Sequence, residues 1–229
     1  MEPKILLITV YPGGYGKALA EAALKRGDGV IAVTQDIAAL DYLSAQYKEA
    51  FFLIPLNLTD RKTAFDGIDS ALKIFGQIDA VIDAGFNIID QEEKASGQQL
   101  KGLLENELLG VPWLSQAIFP VLQRQHNGHF IQVSSTSRII LPVLGHFQGP
   151  KQGQKSNLEK VAEEIQNQGI RVSFVEPFTD DHFVSDHDTS YYAGEVQAST
   201  HTISYNRFRI RNGHPSAVAE MLLGIIDSE

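Results

Sequence analysis

Two stretches of this chain carry groups suited to chemistry. The first is Thr9-Val10-Tyr11-Pro12-Gly13-Gly14-Tyr15-Gly16, set between an apolar run and a helical pattern. Glycines at a strand-to-helix turn let backbone amides and the positive end of the helix approach a phosphate, because glycine has no side chain to hold the ligand off. A tight turn with no ligand is the competing reading. The second stretch holds Ser134 and Ser135, then Phe147 twelve residues past Ser135, then Lys151 four further on. A serine hydroxyl can polarise a carbonyl but is far less acidic than a phenol. Phe147 has no ionisable group, so it cannot act as general acid or base at any pH.

Other groups could also do chemistry. His146, beside Phe147, titrates near neutrality, yet a surface or packing histidine is the preferred reading. Asp180, Asp181, His182, Asp186, His187 and Asp188 bring oxygen and nitrogen donors together as a divalent-metal site would. A solvated loop is preferred there, so no metal is expected. Ser135 with a histidine and an aspartate would make a hydrolase triad, but no nucleophile-elbow sequence surrounds it.

These residues need a scaffold, and the apolar patterning supplies one. Strands are expected over 5–10, 30–34, 51–55, 80–82, 129–134 and 171–175, where β-branched and apolar residues run together. Helices are expected over 17–25, 61–75, 100–124, 156–168 and 215–226, where apolar residues recur every three or four positions. Alternation of the two predicts an α/β fold: one doubly wound, Rossmann-type parallel sheet in three α/β/α layers. A length of 229 residues with no Pro/Gly/Ser-rich linker predicts a single domain over 1–229. Residues 178–206 lose the pattern and are expected to form an irregular loop over the cleft.

Composition narrows the partners. Asp and Glu exceed Lys and Arg by nine, and no basic cluster stands out, so neither nucleic acid nor an anionic membrane is expected. Cysteine is absent, which excludes disulfides, thiolate metal sites and cysteine nucleophiles. The apolar run at 4–10 is too short for a membrane span and lacks a signal-cleavage pattern, so a cytoplasmic location is expected.

Thr9, Gly14 and Gly16 resemble the TGxxxGxG fingerprint of the short-chain dehydrogenase/reductase superfamily. Leu56-Asn57-Leu58-Thr59-Asp60 is similar to that family's DVTD segment, and Ile82-Asp83-Ala84-Gly85 to its NNAG motif. Gly110 and Pro120 match its long helix, and 169–177 matches its sixth strand and Pro-Gly turn. Ser135, Phe147 and Lys151 then fall on its serine, tyrosine and lysine. The resemblance spans essentially the whole chain and implies the fold described above.

It also implies roles. Thr9, Gly14, Tyr15, Gly16, Gln35, Asn57, Ala84, Gly85, Lys151 and Pro177 would bind NAD or NADP. Ser135 and Lys151 would be catalytic, with Glu107 at the place of the active-site asparagine and Phe147 at the lost tyrosine. Thr34 and Gln35 replace the acidic residue that holds a ribose in NAD-specific folds, which leans the choice toward NADP. Asp36 is one residue late and is expected to begin the next turn. Val10 stands where the first glycine belongs, and a β-branched side chain there is expected to narrow the path to the phosphates. Phe178 replaces the glycine after Pro177. Gly149-Pro150 objects to a helix through Phe147, because proline fits the first helical position and not the interior.

Three functions follow. One is a divergent NAD(P)-dependent oxidoreductase, or a weakly active relic of one, whose proton comes from Ser135, water or the substrate. Another is an isomerase or lyase with Glu107 as base and Ser135 or Lys151 stabilising an enolate. The last is a catalytically silent partner subunit, in a homo-dimer or tetramer or in a hetero-oligomer with an active relative.

Overall fold

The computed structural model describes residues 2–11, 14–55, 60–84, 111–133, 168–178, 191–195, 206–211 and 214–228. The chain opens with β1 (Ile5–Thr9), α1 (Gly16–Arg26) and β2 (Gly29–Thr34). Helix α2 (Asp41–Tyr47), a single turn over Lys48–Ala50, β3 (Phe51–Pro55), α3 (Arg61–Phe75) and β4 (Ala80–Asp83) follow. Then come α4 (Val111–Gln125), β5 (Gly128–Val133), β6 (Ile170–Phe178), β7 (Tyr191–Glu195), β8 (Asn206–Arg211) and α5 (Pro215–Asp227). The strands form one sheet in the order β3-β2-β1-β4-β5-β6-β8-β7. All neighbours run parallel except the β7–β8 pair.

Helices on both faces make it a three-layer sandwich. Leu6, Ile8, Val30, Ala32 and Ile82 pack with Leu19, Ala23, Val218 and Leu222 of α1 and α5. The alternate residues Leu7, Ile31, Val33, Val81 and Phe130 pack with Ile68 of α3 and Ile118 of α4. Strands covered on both faces must be apolar at every position, which is why β1 and β2 read as unbroken runs. Each fully buried Leu or Ile contributes about 1.5–3 kcal/mol.

Local signals set the helix limits. In α1, strong helix formers place Leu19, Ala20, Ala23 and Leu24 on the buried face. It stops at Gly27, whose φ of 99° only glycine adopts without strain. Asp60 caps α3, accepting from the Lys62 amide at 3.1 Å. Helix α2 buries only Leu43, too short a period to be read from the sequence.

Three departures from expectation lie at one edge of the sheet. Strand β6 runs through Pro177 to Phe178, paired with β8 by Pro177↔Ile210 and Phe178↔Arg211, where a Pro-Gly turn was expected. Phenylalanine favours extended backbone, whereas the glycine it replaces favours a turn. Residues 178–206 are not irregular throughout, since Tyr191–Glu195 forms β7. Beyond them Asn206-Arg-Phe-Arg-Ile-Arg211 forms β8, and its period of two was a legible strand signal. Residues 179–190 and 196–205 lie outside the described residues.

One buried polar pair is structural. His129 on β5 is 1% exposed and its Nε2 lies 2.7 Å from Ser173 Oγ on β6. Burial, with Arg171 and Lys4 nearby, lowers its pKa to about 3, so it is neutral at physiological pH. Its Nδ1 has no hydrogen-bond partner among the described residues.

Candidate functional site

The sheet order reverses at β1, which pairs with β2 on one side and β4 on the other. Such a switch point leaves a crevice at the carboxyl ends of the strands, and ligands of open α/β sheets bind there. The glycine turn leaves β1 at that point.

Gly16 is fixed by contact. A Cβ on Gly16 would lie 2.3 Å from the Thr9 carbonyl oxygen, so only glycine lets α1 start against the end of β1. The preceding turn is closed by Gly14 N–H donating to the Tyr11 oxygen at 3.1 Å. Helix α1 is preceded by Tyr15 at its N-cap, with no side-chain cap hydrogen bond, and has no acidic residue in its first turn. Its positive end therefore receives no negative charge from its own first turn, whose one charged residue is Lys17.

Val10 and Tyr15 overturn one expectation. Val10 is 7% exposed and packs in the core with Tyr15 instead of narrowing the approach to the turn. Its backbone is not in the positive-φ region, so the glycine angle is not required there. Tyr15 is equally buried, and burial raises its phenol pKa. Tyr15 is thus a core side chain whose backbone belongs to the turn.

Thr9 joins two strands. Its hydroxyl donates to Asp83 Oδ1 at 2.8 Å and accepts from the Ala84 amide at 3.0 Å. Both side chains are buried, at 0% and 5% exposure. Register pairs Asp83 with Gln132, which is also buried. Thr9, Asp83 and Gln132 therefore form a polar row at one level across β1, β4 and β5. By strand alternation they lie on the face of Leu7, Val81 and Phe130.

At the end of β2, Gln35 is exposed beside the crevice. Asp36 donates its amide to Thr34 Oγ1 at 3.1 Å and accepts from the Ala39 amide at 3.3 Å, so it does begin the next turn.

Of the expected site residues, Thr9, Gly14, Tyr15, Gly16, Gln35 and Ala84 are brought together at the ends of β1, β2 and β4. Pro177 lies in β6, three strands from β1. Glu107, Ser135, Phe147, Lys151, Asn57 and Gly85 lie outside the described residues, as do 180–188 and Gly149-Pro150. Asp83 and Gln132 were missed as site residues. Their signal was a polar residue near the end of an apolar strand.

Fold and strand order define a doubly wound, Rossmann-type α/β protein with its switch point between β1 and β4. Comparison with known proteins makes the class specific. The short chain dehydrogenase family model matches residues 4–183, and the chain belongs to that family of oxidoreductases. It is 35% identical over 177 residues to Oxidoreductase BOA17 of Botryotinia fuckeliana (strain B05.10), covering 76% of this chain and 65% of that relative. The chain thus spans about two thirds of that relative's length. A metagenomic short-chain oxidoreductase in complex with NADP has a TM-score of 0.70 at 18% identity, over 99% of this chain and 91% of that one. A tyrosine-to-phenylalanine variant of ElxO with NADPH bound has a TM-score of 0.63 at 22% identity, over 78% and 75% of the two chains. Among the described residues no helix is long and apolar enough to cross a membrane.

Proposed function

We propose that this chain is an NAD(P)(H)-binding oxidoreductase that works without a tyrosine acid at position 147. The observation that carries the reading is the start of α1. A helix with no side-chain cap and no acidic first turn is packed against the switch point through Gly16, as an anion-binding turn requires. NADP complexed with one structural neighbour supports a nicotinamide dinucleotide. In the ElxO variant a tyrosine-to-phenylalanine change and bound NADPH coexist, which supports binding by a chain that carries Phe147.

The residues divide the work. Backbone amides of 14–16 hold the pyrophosphate, and Gln35 meets the adenosine ribose, with NADP favoured because no acid stands there. Ala84, Gly85, Asn57 and Pro177 line the remainder, and Lys151 holds the second ribose. The bound nicotinamide supplies or accepts a hydride. Ser135, two residues past the end of β5, polarises the acceptor, and Glu107 fixes Lys151 by opposite charge. Phe147 contributes no proton, so water or the substrate completes the protonation. An activated double bond, whose reduction leans least on a phenol, is the favoured substrate class. The protein acts in the cytoplasm as a homo-dimer or tetramer.

Titration of purified protein with NADPH and NADH, followed by nicotinamide fluorescence and thermal stability, tests the reading. Binding of either supports it, and no binding at millimolar dinucleotide overturns it. Phe147→Tyr is expected to raise carbonyl reduction where Phe147 and Lys151 share a helical face, and to leave it unchanged where the helix starts at Pro150.

A further inference from the structure

We propose that the arginine row Arg207, Arg209 and Arg211 of β8, set one strand from Pro177 at the carboxyl edge of the sheet, selects an anionic substrate bearing a carboxylate or a phosphate. This rests on the dinucleotide reading above, which places Pro177 against the cofactor, and adds the charge of the substrate. Pro177 on β6 pairs with Ile210, and Phe178 with Arg211. The row therefore ends one strand spacing, about 4.8 Å, and one residue beyond Pro177. Spaced by two along the chain, the arginines make no basic run, but strand alternation puts all three on one face. Register adds Phe174, Glu176 and Phe178 of β6 to that face, with Tyr192 and Gly194 of β7. Among these paired positions only Glu176 is acidic, against three arginines, in a chain whose formal net charge is -9. The sheet itself does not ask for them. Strands β1 and β2, which also have a strand on each side, carry no charged residue, whereas β8 carries one at every second position. Arginine presents a planar fork of donors that fits a carboxylate or a phosphate.

The test uses the whole protein with NADPH present, the native chain beside Arg211→Gln and Arg207→Gln. Benzoate, phenyl phosphate and the neutral benzamide are titrated by ligand-observed NMR, NADPH by fluorescence, and thermal unfolding is recorded without ligand. The native chain is expected to bind one of the anions on the order of tenfold more tightly than benzamide. Which anion gains more separates a carboxylate from a phosphate. Arg211→Gln should lose most of that preference and Arg207→Gln part of it, with NADPH affinity kept. A role confined to holding strands together would lower the unfolding temperature without moving the preference. Anions that bind no better than benzamide, or a preference that the folded variants keep, overturn this inference and leave the dinucleotide reading standing. Equal loss of NADPH and anion binding in the variants overturns it too, by giving the row to the dinucleotide, as does failure of both variants to fold. If the native chain binds no dinucleotide at millimolar concentration, the dinucleotide reading falls and this inference with it.

Discussion

The two ends of the sheet are built in opposite ways. At the amino ends of the strands, charges meet partners. Asp28 accepts from the Lys4 amide at 3.0 Å and pairs with Arg26 at 2.6 Å, while Asp227 of α5 pairs with both Arg26 and Lys4. Lys4 Nζ also donates to the Ile226 carbonyl at 2.9 Å, near the end of α5. At the carboxyl ends, among the described residues, α1 starts with no side-chain cap and no acidic residue in its first turn, and Asp83 of β4 accepts the Thr9 hydroxyl. The first end ties helix to sheet, and the second leaves a helix end available to an anion. Stability and the proposed binding thus fall at opposite edges of one core.

That division gives separable consequences. Gly16→Ala is expected to have the largest effect, about 2–3 kcal/mol of stability from the clash with Thr9, together with loss of dinucleotide binding. Urea unfolding and fluorescence titration check it, and full binding by a folded G16A would show that α1 need not touch β1. Asp28→Ala should cost about 1–3 kcal/mol by stranding the Lys4 amide and Arg26. Dinucleotide affinity should stay unchanged, so altered affinity would show that the two edges are coupled.

Acid should act through a third place, the buried His129. The unfolded chain takes up a proton near the ordinary histidine value of 6.5, whereas the folded chain resists until about 3. Stability contributed by the neutral ring is therefore complete above 6.5 and declines as pH falls through that window. The slope is about 1.4 kcal/mol per pH unit. Unfolding curves at pH 7, 6 and 5 should show it, and His129→Gln should flatten it. Gln35→Arg should change stability least and raise the NADPH to NADH affinity ratio several-fold, about threefold to tenfold. An unchanged ratio would remove Gln35 from the ribose site.

Much of this was legible in the chain. Helix α3 and strand β3 lie at the residues expected, because their apolar spacing and the Asp60 cap are local signals. The same holds for the glycine turn. Strand β8 is legible by its period of two, although it follows a polar stretch rich in histidine and tyrosine. Strand β7 carries no such pattern. It exists as a strand because β8 offers it an edge to pair with.

The sequence alone decided the alternation of strand and helix, the strong signals at helix ends and the family. Each depends on residues near one another along the chain, or on motif spacing. Only the tertiary structure decided that Val10 and Tyr15 turn into the core, and that Thr9 reaches Asp83 across a gap of 74 residues. Asp83, read along the chain, is a lost asparagine. Read across the sheet, it is the buried acceptor of the Thr9 hydroxyl, because parallel pairing brings together strand ends that the chain keeps apart.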